Sequence, residues 1–141
     1  MILIDTNIIS EMMKSAPDPK VISWIDQQDI MQLYISTITI AELVYGINTL
    51  PAGNRRNYLE KAFNSVVREA FEYRIFTFDE VAAHQYGMIM SHRKNIGRPM
   101  SMADGQIAAI AHVHNCTIAT RNINDFADSK LDLINPFLDP S

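Results

Sequence analysis

Four short apolar runs, Ile2-Leu3-Ile4, Leu33-Tyr34-Ile35, Ile75-Phe76-Thr77-Phe78 and Thr117-Ile118-Ala119, are separated by longer stretches with helical periodicity. Runs that are apolar throughout suit strands covered on both faces. Strands that alternate with helices specify a parallel sheet between helical layers, because each crossover returns the chain to the same end of the sheet.

The spacing predicts helices from Asn7 to about Met13, Val21 to Gln27, Thr39 to about Leu50 and Arg55 to about Tyr73. Asp79 caps a further helix to about Lys94, and Ser101 opens one to about His114. Pro17 and Pro19 end the first, Pro51-Ala52-Gly53-Asn54 forms a turn, and Gly97-Arg98-Pro99 interrupts before Ser101. Asp132-Leu133-Ile134 is a candidate fifth strand, while Asn135-Pro136 and Asp139-Pro140 mark an irregular tail. Without repeats, low-complexity tracts or a linker, residues 1–141 read as one α/β domain with three layers: a central, mostly parallel sheet flanked by helices.

The net charge of −4 argues against a general electrostatic binder of nucleic acid or membrane, although a local basic patch remains compatible with it. A single cysteine, Cys116, excludes an intramolecular disulfide and reads as a small buried residue. His112, His114 and Asn115 break the apolar stretch from Ile107 to Ala119, so it does not span a bilayer. The amino terminus lacks a charged leader and a cleavage site, so a cytoplasmic protein without membrane association is the expectation.

The chemistry lies in where the acids fall. Asp5 ends the first strand, Glu42 and Asp104 are expected in first helical turns, and Asn122 and Asp125 follow the strand at Thr117. In a parallel sheet, strand carboxyl ends and helix amino ends share one edge, which is where ligands bind. Singly, each acid has an ordinary explanation. Thr39-x-x-Glu42 and Ser101-x-x-Asp104 resemble capping boxes, Asp5 suits the amides of its turn, and Asp125 suits the cap of a short helical turn. Capping does not explain why one edge collects so many acids. Clustered carboxylates repel unless a cation sits among them.

An all-oxygen donor set suits Mg²⁺ or Mn²⁺ rather than zinc. His84, His92, His112 and His114 offer no competing site and read as surface or packing residues. Gly105 costs about 1 kcal/mol against alanine in a helix, tolerable where another backbone comes close, and equally compatible with simple packing. Carboxylates that hold hard divalent ions, without a Ser or Cys nucleophile, fit phosphodiester hydrolysis, and helix amino ends favour the phosphate.

Taken together, Leu3-Ile4-Asp5-Thr6-Asn7, Ile40-Ala41-Glu42-Leu43, Met102-Ala103-Asp104 and Ala119-Thr120-Arg121-Asn122-x-x-Asp125-Phe126 resemble the PIN-domain ribonucleases. More narrowly they resemble the VapC/FitB toxins of bacterial toxin–antitoxin pairs, over nearly the whole chain. The resemblance implies a Mg²⁺- or Mn²⁺-dependent endoribonuclease directed at tRNA or other structured RNA and neutralised by a cognate antitoxin. Carried over by position, Asp5, Glu42 and Asp104 are the metal-binding and catalytic acids, and Thr6, Asn7 and Thr120 are polar support. Some relatives carry an acid immediately after Thr-Arg. Here Asn122 stands there, able to bind a metal or its water but without charge, while Asp125 either supplies that charge or orders the loop. The departure bears on whether one or two metals bind.

Most basic residues fall between Arg55 and Arg98, interleaved with Glu60, Glu69 and Glu72 as on ordinary solvated helices. Arg93, Lys94, Arg98 and Arg121 flank the elements that carry Asp104 and Asp125 and are the candidates for contact with an RNA backbone. Met12, Met13, Tyr45, Tyr86, Met88 and Met90 suit a core, and some suit an apolar surface for a homodimer or an antitoxin helix. The family implies both partners, with a larger assembly on operator DNA formed through the antitoxin.

Two other readings compete. A degenerate, non-catalytic PIN-fold module would bind RNA or protein without cutting, and the uncharged Asn122 is its support. A dehalogenase-like phosphatase would need a second acid where Asn7 stands, and a receiver domain would need paired acids near the first strand.

Overall fold

The computed structural model describes residues 1–138, so the expected tail signal at Asp139-Pro140 lies outside the described residues. Five parallel strands run β1 (Ile2–Ile4), β2 (Leu33–Ser36), β3 (Ile75–Phe76), β4 (Thr117–Ala119) and β5 (Leu133–Ile134), in the spatial order β3-β2-β1-β4-β5. The expected fifth strand is present, and among the described residues every pairing is parallel.

The helices are α1 (Thr6–Met12), α2 (Pro19–Asp26), α3 (Thr37–Asn48), α4 (Asn54–Phe63), α5 (Glu80–Asn95), α6 (Met102–Val113) and α7 (Ile123–Phe126). Strand side chains alternate between two cores, as pleating requires. Leu3, Tyr34 and Ile118 pack with α5 and α6 on one face. Ile4, Leu33, Ile35 and Ala119 pack with α1, α3 and Val21 of α2 on the other. Coverage on both faces is why the strands are apolar without interruption.

Three boundaries differ from the sequence expectation. Ser36, not Thr39, caps α3: its Oγ accepts from the Thr39 amide at 3.1 Å. Glu42 therefore lies in the second turn of α3, and the expected Thr39–Glu42 capping box does not form. The long helix after the Pro51 turn changes register, since α4 passes into a wider, π-type segment over Asn64–Ala70. Strand β3 stops at Phe76, and Phe78, beyond it, meets Tyr86 edge-on, with ring centroids 5.8 Å apart.

Gly105 has a packing reason. A methyl group there would overlap Met90 Sδ on α5 and lie 3.0 Å from the Tyr86 ring. Gly105→Ala gains about 1 kcal/mol of helix propensity, yet overpacking costs about 1–3 kcal/mol. A net loss near 1 kcal/mol is expected in denaturant melts, and that loss is expected to vanish when Gly105→Ala is made in, and compared with, a Met90→Ala background. A Gly105→Ala variant more stable than the parent would overturn this account.

Candidate functional site

Strand order reverses between β1 and β4, so crossovers leave in opposite directions and a crevice opens at their carboxyl ends. Asp5 stands in that crevice. It follows β1, caps α1 through Oδ1, which accepts from the Thr6 amide at 2.8 Å, and its own amide donates to Ala119 O at 2.9 Å. The other oxygen, Oδ2, accepts from Thr120 Oγ1 at 2.7 Å and from Asn7 Nδ2 at 3.2 Å. Thr120 is fully buried and Asp5 nearly so. One carboxylate is thus fixed by donors from its own helix and from the neighbouring strand.

A second hydrogen-bond chain orients Glu42. Thr6 Oγ1 lies 2.7 Å from Glu42 Oε1 and 3.0 Å from Thr39 Oγ1, tying α1 to α3. Because Glu42 sits in the second turn, its carboxylate is free of capping and reaches across to α1. Asp104 keeps the expected cap: Ser101 opens α6 and its Oγ accepts from the Asp104 amide at 3.2 Å. On the far side, Asn7 Oδ1 accepts from the Arg121 amide at 3.1 Å, and the Asn122 amide donates to Thr120 Oγ1 at 3.0 Å. Among the described residues, Asp125 caps no helix. It lies in the first turn of α7, solvent-exposed, with Asn122 at the helix cap.

Asp5, Thr6, Asn7, Glu42, Asp104, Arg121, Asn122 and Asp125 line one open cavity of about 410 Å³, with Ser10, Glu11 and Lys14 of the α1 region. The acids influence one another there. Burial pushes the Asp5 carboxyl up to about 6, against the lowering effect of the Thr120 and Thr6 hydrogen bonds, and the charges of Asp104 and Glu42 add to the rise. Asp104 is also raised, first by burial and then by Asp125 and Glu42, while Ser101 and Arg93 lower it. Carboxylates raised by burial and by one another's charge are matched to a hard cation. Among the described residues, no three acidic, histidine or cysteine side chains stand close enough to form a finished metal cage. The donor chemistry fits Mg²⁺ or Mn²⁺, with the carboxylates spaced around a shared cavity rather than closed into a tight shell.

The structure separates the expected basic residues. Arg121 lines the cavity, with its guanidinium over the Phe137 ring at 4.7 Å. Lys94 is exposed on α5 away from the cavity lining. Arg98 is exposed and paired with Asp128 at 2.6 Å. Arg93, also expected beside RNA, is turned to the protein interior. It is only 3 % exposed, and its guanidinium donates to backbone carbonyls of Arg98, Asp125 and Ala127.

Sequence reasoning passed over Glu11 and Lys14. Buried Glu11 accepts from Lys14 Nζ and from the Asp18 amide, both at 3.0 Å, and so pins the link between α1 and α2. Their spacing from Asn7, at i+4 and i+7, is the signal that would have placed them on its helix face. The histidines stay outside the cavity; His114 stacks on Phe76 with centroids 3.7 Å apart. Of the Met and aromatic set, Met13 is buried, Met12, Tyr86 and Met90 pack against the cores, and Tyr45 and Met88 are exposed. Among the described residues, no helix is long and apolar enough to cross a membrane.

Comparison with known proteins shows the family and the fold. The PIN domain family model matches residues 2–129. The chain is 42% identical over 137 residues to the VapC ribonuclease Y4jK of Sinorhizobium fredii, covering 97% of this chain and 98% of that protein. It is 38% identical over 139 residues to the toxin FitB of Neisseria gonorrhoeae, covering 99% and 100%. In three dimensions it is similar to a chain in the structure of FitAB bound to an IR36 DNA fragment, with a TM-score of 0.92, 36% identity and coverage of 100% and 99%.

Proposed function

Because the chain belongs to the PIN-domain family, among VapC/FitB toxin homologues, we propose that it is a metal-dependent endoribonuclease acting on tRNA or other structured RNA. The observation that carries this reading is the site at the sheet's reversal point, where Asp5 is pinned at both oxygens and its carboxyl is raised by burial and by Asp104 and Glu42. In it, Asp5, Glu42 and Asp104 hold a divalent ion, Mg²⁺ or Mn²⁺, with Asn122 and Asp125 at the outer side of the same cavity. Held there, such an ion would supply Lewis-acid stabilisation of a phosphoryl group and would acidify water.

The chain's own residues do the remaining work. Thr120 and Asn7 fix the Asp5 carboxylate, so it need not reorganise when a cation arrives. Thr6 aims Glu42 at the same space from the opposite helix. Lys14 and Arg121 stand at the cavity wall as contacts for a phosphodiester backbone, which an acidic chain needs locally to approach RNA.

The partners follow the same reading. FitAB, a close structural relative, is seen bound to DNA, and this supports a cognate antitoxin that neutralises the chain and carries the pair onto operator DNA. A homodimer using exposed apolar residues such as Tyr45 and Met88, one domain over residues 1–141, and a cytoplasmic location complete the proposal.

The test is incubation of the purified, partner-free chain with total tRNA in Mg²⁺ or Mn²⁺ and in EDTA. Discrete fragments that vanish in EDTA are expected. Fragments of equal yield in EDTA would refute metal dependence. RNA binding without any fragments would favour the non-catalytic module.

A further inference from the structure

A buried guanidinium is costly unless its donors are met. Arg93 lies inside the helical layer at 3 % exposure, and among the described residues no carboxylate is within ion-pair distance of it. Its partners are carbonyls from separate segments. Nε donates to Arg98 O at 2.5 Å, in the stretch that leads into α6. Nη1 donates to Asp125 O at 3.2 Å and also to Ala127 O, at the end of α7. Those are the elements that carry Asp104 and Asp125. An exposed tie, Arg98 to Asp128, links the same segments, but such surface pairs contribute little.

We propose that Arg93 is a positioning residue for the acidic site: it clamps the lead-in to α6 against the α7 turn, so that Asp104 and Asp125 face one cation. The inference rests on the metal-nuclease reading above. An apolar side chain could fill the same volume at lower desolvation cost. What it could not provide is a hydrogen-bonded fork that spans both segments.

The experiment compares the full chain with Arg93→Lys, and with Arg93→Ala in the presence and absence of methylguanidinium. Mn²⁺ binding is measured by calorimetry without RNA, and kcat and KM are measured on tRNA. Arg93→Lys is expected to bind Mn²⁺ at least about tenfold more weakly, as loss of an outer-shell support does, with kcat lowered and KM little changed. Methylguanidinium is expected to restore part of the Mn²⁺ affinity to Arg93→Ala. Wild-type Mn²⁺ affinity and kcat in Arg93→Lys would overturn the inference, as would failure of both variants to fold, which would make Arg93 a scaffold residue only. A wild-type chain that neither binds Mn²⁺ nor cleaves RNA would refute the nuclease reading itself, and is told apart because no variant enters that result.

Discussion

Asp5→Asn is expected to abolish RNA cleavage and, in EDTA near pH 7, to make the folded chain more stable than the wild type. Both effects come from one carboxylate. As the proposed ligand, Asp5 would supply the charge that a hard cation needs, and an amide oxygen does not replace it. In the metal-free protein that charge is a burden, because burial and the neighbouring acids raise its carboxyl from 3.8 to about 6.

A carboxyl raised on folding contributes stability that is present below the unfolded value and lost as pH rises through the folded value. Metal-free wild type therefore loses stability between about pH 4 and pH 6, by on the order of 3 kcal/mol at most for this gap. The asparagine removes that loss, but with donors at both carboxylate oxygens its NH2 end must meet one of them: the Thr6 amide when its oxygen takes the side of Thr120 and Asn7. The mismatch cuts the net gain to about 1 kcal/mol, or a few degrees of melting temperature. Saturating Mn²⁺ should reverse the order, since it stabilises only the protein that binds it. Melting both proteins in EDTA at pH 5 and pH 7.5 checks the sign. An Asp5→Asn variant that still cleaves RNA, or that gains nothing over wild type on going from pH 5 to pH 7.5, would sink the account.

Phe126→Ala is expected to cost about 3–5 kcal/mol, the usual loss for a large buried aromatic, which is a large share of a domain's stability of about 5–15 kcal/mol. Phe126 is 1 % exposed and joins the core under α5 and α6, while the adjacent Asp125 points to solvent. α7 is a single turn, too short to persist without such an anchor. A fall of roughly 10 °C or more in melting temperature is expected, with cleavage at low temperature reduced beyond the loss of folded protein, because Asp125 drifts. Asp125→Asn should lower cleavage while shifting stability by less than about 0.5 kcal/mol, as exposed substitutions do. A Phe126→Ala protein that melts within a degree or two of wild type would show that α7 is held by other contacts.

The contrast between these neighbours shows what was legible in the chain. Strand identity was legible because both faces are covered, so Ile2-Leu3-Ile4 and Thr117-Ile118-Ala119 carry no polar residue inward or outward except Thr117. Ser101 was legible as a cap because its hydroxyl and the Asp104 amide are close in sequence. The start of α3 was not: Ser36 and Thr39 are both competent caps, and the choice depends on where β2 ends, which β1 and β3 decide by pairing. The role of Arg93 was not legible either, because burial is not a local property. An arginine on a helix reads as solvated until another segment, here the carbonyls of Asp125 and Ala127, closes over it.

What the sequence by itself determined is the layered α/β architecture and the residue types of the site, since periodicity, turn chemistry and strand-end position are short-range signals. The tertiary structure alone decided how those acids are held. Strand order 3-2-1-4-5 brings Thr120 beside Asp5, although 115 positions separate them. The packing of α1 on α3 lets Thr6 aim Glu42, and the clamp of Arg93 sets the two remaining acid-bearing segments. Hydrogen bonds fix direction within a few tenths of an ångström, and their partners come from chain segments that meet only once the sheet has formed.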